Sequence, residues 1–227
     1  TANQRSGRRA FLAFRERYDD WALVPGERQF RFVRRLGFPP SRIQVGSIPA
    51  NAELFSGESQ DDRLPAFLFV GRLANVKGLD TLFAAYRSYR ASEEAPWDLR
   101  VSGRGPEPIP DIEGIVKLGF LEPGEVAAEM KRASCLVLPR RFEPWGVVLH
   151  EAAYAGLPAI ATEECGAVPE LLANGISGLV VTPGDADELT KALHHISSLS
   201  RTDWLQLSSA ARRLATRSSP ESWVRGI

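Results

Sequence analysis

The run Ser134-Cys135-Leu136-Val137-Leu138-Pro139-Arg140-Arg141-Phe142-Glu143-Pro144-Trp145-Gly146-Val147-Val148-Leu149-His150-Glu151-Ala152-Ala153 holds a strand, a turn and the opening of a helix. Its first five residues form a short apolar stretch of the kind a parallel sheet buries on both faces. Pro139 stops it, and Gly146 lets the chain turn into a helix. The first amides of that helix, at Gly146, Val147 and Val148, lack intrahelical acceptors and point out of its amino end, where the helix dipole favours an anion. Glu143 stands before the helix and Glu151 one turn inside it, so two carboxylates flank a phosphate-sized hole. Sugar, diphosphate and ribose present their groups in that order.

The same alternation extends in both directions. Strands are expected at Phe67 to Gly71, Asp98 to Ser102, Ile115 to Leu118, Ser134 to Leu138, Pro158 to Thr162 and Gly178 to Val181. Helices are expected at Leu79 to Arg90, Glu125 to Arg132, Val147 to Ala155, Val168 to Ala173, Asp187 to Leu199 and Asp203 to Arg217. Gly156 with Pro158 and Asn174 with Gly175 read as helix ends, and Asp185 as an N-cap. Successive βα units of this kind build a doubly wound α/β domain with a parallel, Rossmann-like sheet, whose ligands lie outside the carboxyl ends of the strands. The polar and glycine-rich sequences stand at those ends: Gly71-Arg72 with Lys77-Gly78, Gly103-Arg104-Gly105-Pro106, Gly119-Phe120-Leu121 and the two-glutamate run.

Before Phe67 the pattern is thinner. Asp20 to Val24 and Ile43 to Ile48 read as strands around a helix from Gly26 to Leu36, too few elements for a sheet of their own, and residues 52 to 65 read as a polar linker. The division expected is 1–58 as the remnant of a preceding domain with its hinge, 59–217 as the ligand-binding domain, and 218–227 as the start of a further helix, with Ser219-Pro220-Glu221 as its opening. The first residue is Thr and no signal-peptide pattern precedes the fold, so the chain reads as a piece of a longer protein.

Composition bounds the rest. The 227 residues carry 28 basic and 28 acidic side chains, 44% hydrophobic residues and no apolar run long enough to span a bilayer. Charge is unevenly spread: residues 1–42 hold ten arginines (Arg5, Arg8, Arg9, Arg15, Arg17, Arg28, Arg31, Arg34, Arg35, Arg42) against Glu16, Asp19, Asp20 and Glu27. A solvated face is the plainer reading of this stretch, and contact with anionic lipid or an acidic acceptor is the alternative. Cys135 and Cys165 have no ligand spacing and fit two free thiols in a reducing cytosol. The expected location is cytoplasmic, with peripheral contact at the inner membrane face open.

Taken together, Phe69-Val70-Gly71-Arg72-Leu73 with Lys77-Gly78, Val101-Ser102-Gly103-Arg104-Gly105-Pro106, Leu118-Gly119-Phe120-Leu121, Glu143-Pro144-Trp145-Gly146 to Glu151-Ala152, Ala155-Gly156-Leu157-Pro158 and Glu170-Leu171 ahead of Asn174-Gly175-Ile176-Ser177-Gly178 resemble the nucleotide-sugar domain of retaining glycosyltransferases of the GT-B fold, family 4 or group 1. The resemblance spans about residues 43–224. It implies that the domain is the C-terminal half of a GT-B fold, with a nucleotide-diphosphate sugar as donor and a hydroxyl acceptor on a glycan, lipid or small molecule. It implies that Arg72 and Lys77 bind the donor diphosphate, a role suited to a guanidinium and an ammonium. Glu151 would grip ribose hydroxyls, and Glu143 would position the sugar and stabilise an oxocarbenium-like state. Glu143, Arg72 and Lys77 are thus the candidate catalytic residues. Gly71, Gly103, Phe120, Leu121, Trp145, Gly146, Val147, Val148 and Glu151 complete the candidate donor site, with Phe120 and Leu121 against the base.

His150 neighbours Glu151, but adjacent helical residues point about 100° apart, so a core or interface position is expected. Gly103 and Gly105 are read as permitting close approach to the nucleotide, with a simple tight turn as the alternative. Arg140 departs from the small Ser common at its place in the resembling family, which leaves open an altered donor or an added phosphate contact. Neither a metal nor a nucleic-acid partner is expected. A donor-binding module without activity of its own is the alternative function, since the family places acceptor chemistry in an N-terminal domain. A nicotinamide-dependent Rossmann enzyme fits less well, because Gly103-Arg104-Gly105 lacks a third glycine at Pro108 and runs into proline-rich sequence.

Overall fold

The computed structural model describes residues 21–46, 48–57 and 63–218. Six strands, β3 (Ala66–Val70), β4 (Asp98–Ser102), β5 (Ile115–Gly119), β6 (Cys135–Leu138), β7 (Ala159–Thr162) and β8 (Gly178–Val181), form one parallel sheet in the order β5-β4-β3-β6-β7-β8. The chain winds outward from β3 to β5, crosses back to β6 beside β3, and then winds the other way. The switch in strand order therefore lies between β3 and β6, which pair through Phe67 with Cys135 and Leu68 with Leu136. A crevice opens at that point because the connections leave β3 and β6 toward opposite sides.

Period-two alternation divides the core into two layers. Leu68, Leu136, Leu138, Ala159 and Ala161 face one side, where they meet α4 (Pro123–Arg132), α5 (Val147–Tyr154), α6 (Val168–Leu171) and α8 (Arg201–Arg217). Phe67, Phe69, Cys135, Val137 and Ile160 face the other, against α3 (Leu79–Ser92) and α7 (Ala186–Ser197). Both faces of β6 are buried along its whole length, which is why its sequence is an unbroken apolar run. Tyr86 and Tyr89 of α3 are fully buried without an unpaired hydroxyl. Tyr86 donates to the Trp97 carbonyl at 3.1 Å and Tyr89 accepts from the Trp97 amide at 3.0 Å.

The helix ends follow their local chemistry. Asp185 accepts from the Glu188 amide at 2.8 Å, as expected of an N-cap, and Ser200 accepts from the Asp203 amide at 3.2 Å. α4 begins two residues earlier than expected, at Pro123, because Glu125 reaches back to the Glu122 amide at 2.8 Å. Gly156 and Gly175 take the left-handed conformation that closes a helix or turn, at φ 64° and 73°.

Ahead of the sheet, β1 (Ala22–Val24) and β2 (Ile43–Val45) pair in parallel through α1 (Glu27–Arg35). The linker expected at residues 52–65 starts with a helix instead: residues 52–55 form a short helix, α2, with Asn51 accepting from the Leu54 amide and Phe55 buried in the core. A buried phenylalanine contributes about 2 kcal/mol of transfer free energy, enough to fasten a polar-looking segment. Arg63 extends the fastening, donating to the carbonyls of Met130, Ala133 and Ala155 at 2.7–2.9 Å and lying over the Trp204 ring. The expected final helix at Ser219-Pro220-Glu221 and Arg5, Arg8, Arg9, Arg15 and Arg17 lie outside the described residues. Among the described residues no helix is long and apolar enough to cross a membrane.

Candidate functional site

The loops after β3 and β6 meet across the switch point. After β3, Gly71 leads to Leu73, whose amide donates to the Arg104 carbonyl of the loop after β4 at 2.9 Å. A 3-10 turn over Asn75–Lys77 then presents Lys77 to the crevice, and Gly78 starts α3 with φ 70°. After β6, the Arg141 amide donates to the Val76 carbonyl at 3.0 Å. The Arg141 guanidinium binds the Asn75 carbonyl at 2.9 Å and Asp80 at 2.5 Å. The Lys77 turn is thus held from the opposite loop.

The Lys77 ammonium lies 2.6 Å from Oε2 of Glu143, and both side chains are mostly buried. Arg140 pairs with the same oxygen, donates to the Val70 carbonyl at 3.3 Å and is 5% exposed. Its backbone carbonyl accepts from the Thr162 hydroxyl at 2.5 Å. Burial, then the like charges of Arg140 and Arg72, pull the pKa of the Lys77 ammonium down to about 8. Arg72 is exposed beside this cluster, near enough for its charge to act on Lys77. The structure therefore brings Arg72, Lys77 and Glu143 together, and adds Arg140 to them.

Glu143 is fixed by its backbone as well. It forms a parallel bridge with Cys165, its amide donating to the Glu164 carbonyl at 3.1 Å and its carbonyl accepting from the Gly166 amide at 2.9 Å. Gly146 follows in the left-handed region, φ 96°, and a Cβ there would lie 2.7 Å from the Cys165 sulfur. Only glycine fits that turn, and it aims the amino end of α5 at the crevice. Among the described residues the amides of Gly146, Val147 and Val148 have no protein acceptor. Glu151, half-buried on α5, has its carboxyl raised by burial, with no cation among the described residues compensating it.

Other expected positions separate into roles. Phe120 is 51% exposed after β5, and the Arg104 guanidinium lies 4.8 Å above its ring, making a flat cationic-aromatic platform with Leu121 beside it in sequence. At Gly103 the close approach is to protein: a Cβ there would lie 1.8 Å from the Gly71 carbonyl oxygen, and one at Gly105 2.0 Å from that of Leu73. These glycines let the loops after β3 and β4 pack together. Trp145 is buried, its indole donating to the Ile48 carbonyl at 3.2 Å. His150 is a core residue: Nδ1 accepts from the Ala50 amide at 3.2 Å and Nε2 donates to the Ala215 carbonyl at 3.0 Å. That pairing defines a neutral imidazole, and burial lowers its pKa.

Sequence reasoning did not reach the polar contacts from α1. Glu170 accepts from the Glu27 amide at 2.7 Å, and the Gln29 side-chain amide donates to the Pro144 carbonyl beside Glu143. Only the fold joins these segments, which are more than a hundred residues apart.

The model of the family described as Glycosyl transferases group 1 matches residues 64–198, more than half of the chain and all the loops just described. The chain belongs to the group 1 glycosyltransferases. Among curated relatives, a glycogen synthase of Mycobacterium tuberculosis is 32% identical over 138 residues, covering 57% of this chain and 33% of the relative. An alpha-D-kanosaminyltransferase of Streptomyces kanamyceticus is 29% identical over 188 residues, covering 77% and 46%. The chain thus spans less than half the length of either. Among solved structures, sucrose-phosphate synthase from Thermosynechococcus elongatus superposes with a TM-score of 0.75 at 21% identity, over 89% of this chain and 55% of that one. HepE of Anabaena, in complex with UDP and glucose, gives 0.77 at 16% identity, over 94% and 63%. These likenesses show the fold of the group 1 domain, the doubly wound half of a GT-B architecture.

Proposed function

We propose that this chain is the donor-binding part of a glycosyltransferase that moves a sugar from a nucleotide-diphosphate donor to a hydroxyl acceptor, with retention at the anomeric carbon. The observation that carries the reading is the Lys77–Glu143 pair across the strand-order switch, in front of the amino end of α5. The diphosphate lies against the amides of Gly146, Val147 and Val148, with Arg72 and Lys77 as its cations. The ribose reaches Glu151, and the base rests on Phe120 and Leu121. The complex of the HepE neighbour with UDP and glucose supports a donor of this chemistry.

Bond breaking is between the anomeric carbon and the leaving diphosphate oxygen. Arg72, Lys77 and the α5 amides stabilise the charge that grows on that oxygen. Glu143 stabilises the positive charge on the sugar ring, and the departing diphosphate holds the acceptor hydroxyl on its own face and takes its proton as the hydroxyl oxygen bonds to the anomeric carbon, which gives retention. The two cations serve where other transferases use a divalent ion, so turnover is expected without metal. The acceptor is a glycan, lipid or small molecule, and the site is expected to work in the cytoplasm, with the exposed Arg34 and Arg35 of α1 facing an anionic membrane surface, while Arg28 pairs with Glu164 and Arg31 with Glu27.

The second reading, a donor-binding module without turnover of its own, is favoured by one observation: the chain spans 33% and 46% of two relatives. Calorimetry with UDP, GDP and ADP, followed by turnover with the corresponding sugars in the presence of EDTA, separates the two. Binding with release of free nucleotide supports the enzyme, binding alone supports the module, and absence of binding removes both.

A further inference from the structure

Cationic groups outnumber the carboxylate at the switch point. Oε2 of Glu143 is contacted by both Lys77 and Arg140, with Arg72 close enough to act on Lys77. The two pairing cations differ in freedom. Arg140 is enclosed: among the described residues its guanidinium reaches Glu143 and the Val70 carbonyl and its Nε is buried without a partner, and its backbone is tied to Thr162. A buried guanidinium deprived of its carboxylate would be left nearly uncompensated, so Arg140 stays with Glu143. Lys77 stands on a loop at the crevice, on a flexible four-carbon stem, with two like charges beside it.

We propose that Arg140 is a positioning residue that keeps the Glu143 carboxylate paired and oriented so that the Lys77 ammonium can leave it for the diphosphate of an incoming donor. With a small Ser at position 140, Lys77 would be the only one of these two cations left on Glu143, and its transfer to phosphate would strand a mostly buried carboxylate. Arg140 removes that conflict, and it lets one lysine serve the carboxylate in the empty site and the phosphate in the filled one. This inference rests on the reading of the crevice as a nucleoside-diphosphate site.

The test is a double-mutant cycle on the 227-residue chain, read by calorimetry with UDP, GDP and ADP. Arg140→Ser is expected to weaken the tightest-binding nucleotide about tenfold, and Arg140→Lys about threefold. In an Glu143→Gln background, where no carboxylate competes for Lys77, Arg140→Ser is expected to change affinity less than about twofold. An undiminished loss in that background would mean that Arg140 touches the nucleotide itself, and wild-type affinity for Arg140→Ser would mean that it plays no part; either overturns the proposal. If Arg140→Ser does not fold, the Arg140→Lys pair gives the same cycle with a smaller signal. Failure of all three nucleotides to bind the wild-type chain would sink the site reading and this inference with it, whereas binding with an unsuppressed cycle sinks the inference alone.

Discussion

Gly78 lies so close to Pro139 that a Cβ on the glycine would stand 1.8 Å from the Pro139 carbonyl oxygen. The loop that carries Lys77 and the loop that carries Glu143 therefore touch through backbone, and the spacing of their charged side chains follows from that contact. Gly78 also has φ 70°, a conformation L residues rarely adopt.

Gly78→Ala should therefore cost both strain and a displaced loop, about 3 kcal/mol in all. The expected result is a fall of at least about 6 °C in thermal midpoint, roughly 2 °C or more per kcal/mol in a domain of this size. A midpoint within 1 °C or so of wild type would show that the loops are not packed as described.

Glu151 is the carboxylate with burial and no compensating cation. Its carboxyl is raised from 4.5, so the native state holds a proton at pH values where the unfolded chain has lost it. Stability from this group is full below about 4.5 and declines as pH rises through the folded value. A ribose that hydrogen-bonds the ionised form reverses the preference, so nucleotide affinity should fall on acidification and Glu151→Gln should flatten that dependence. Glu151→Ala should weaken binding by about 1.5–3 kcal/mol, or ten- to a hundredfold, by titration calorimetry.

His150 predicts the opposite slope. Its imidazole is neutral in the fold and its pKa is lowered from 6.5 by burial, so below about 6.5 the unfolded chain binds a proton that the native chain does not. Stability from this group is full above 6.5 and is lost as pH falls, by at most about 1.4 kcal/mol per pH unit. Urea unfolding of wild type and His150→Gln between pH 5 and pH 8, as a rough working range, should show the slope only in the former.

Arg63 satisfies three carbonyls at the ends of α4 and α5 and is held down to about 10 by burial and then by Arg212. Arg63→Ala should destabilise the chain by about 3 kcal/mol or more, because the carbonyls stay buried when their donor goes. Arg63→Lys should recover less than half, since an ammonium lacks the planar fork. Chemical denaturation midpoints decide this directly, and full recovery by lysine would show that only charge matters.

Much of this architecture was legible because each strand and helix signals itself locally. The unbroken apolar run of β6, the Gly146 turn and the Asp185 cap are short-range statements, and six strands follow from six such runs. Residues 52–55 look like linker in sequence because the side chain that fastens them, Phe55, finds its pocket in residues far along the chain. That Gly103 also makes room for the Gly71 carbonyl of the neighbouring loop is visible only in the folded chain.

The order of secondary elements, the glycine turns and the placement of charged residues at strand ends were settled by sequence, because backbone conformation answers to near neighbours. Which of those charges meet was not. Lys77 and Glu143 are 66 positions apart, and Glu170 and the Glu27 amide 143. Only the return of the chain from β5 to β6 beside β3 brings the first pair together, and the docking of α1 on α6 the second. Burial at the carboxyl end of β6 then makes Arg140 a partner of Glu143, because a buried charge must take the counter-charge the fold places beside it.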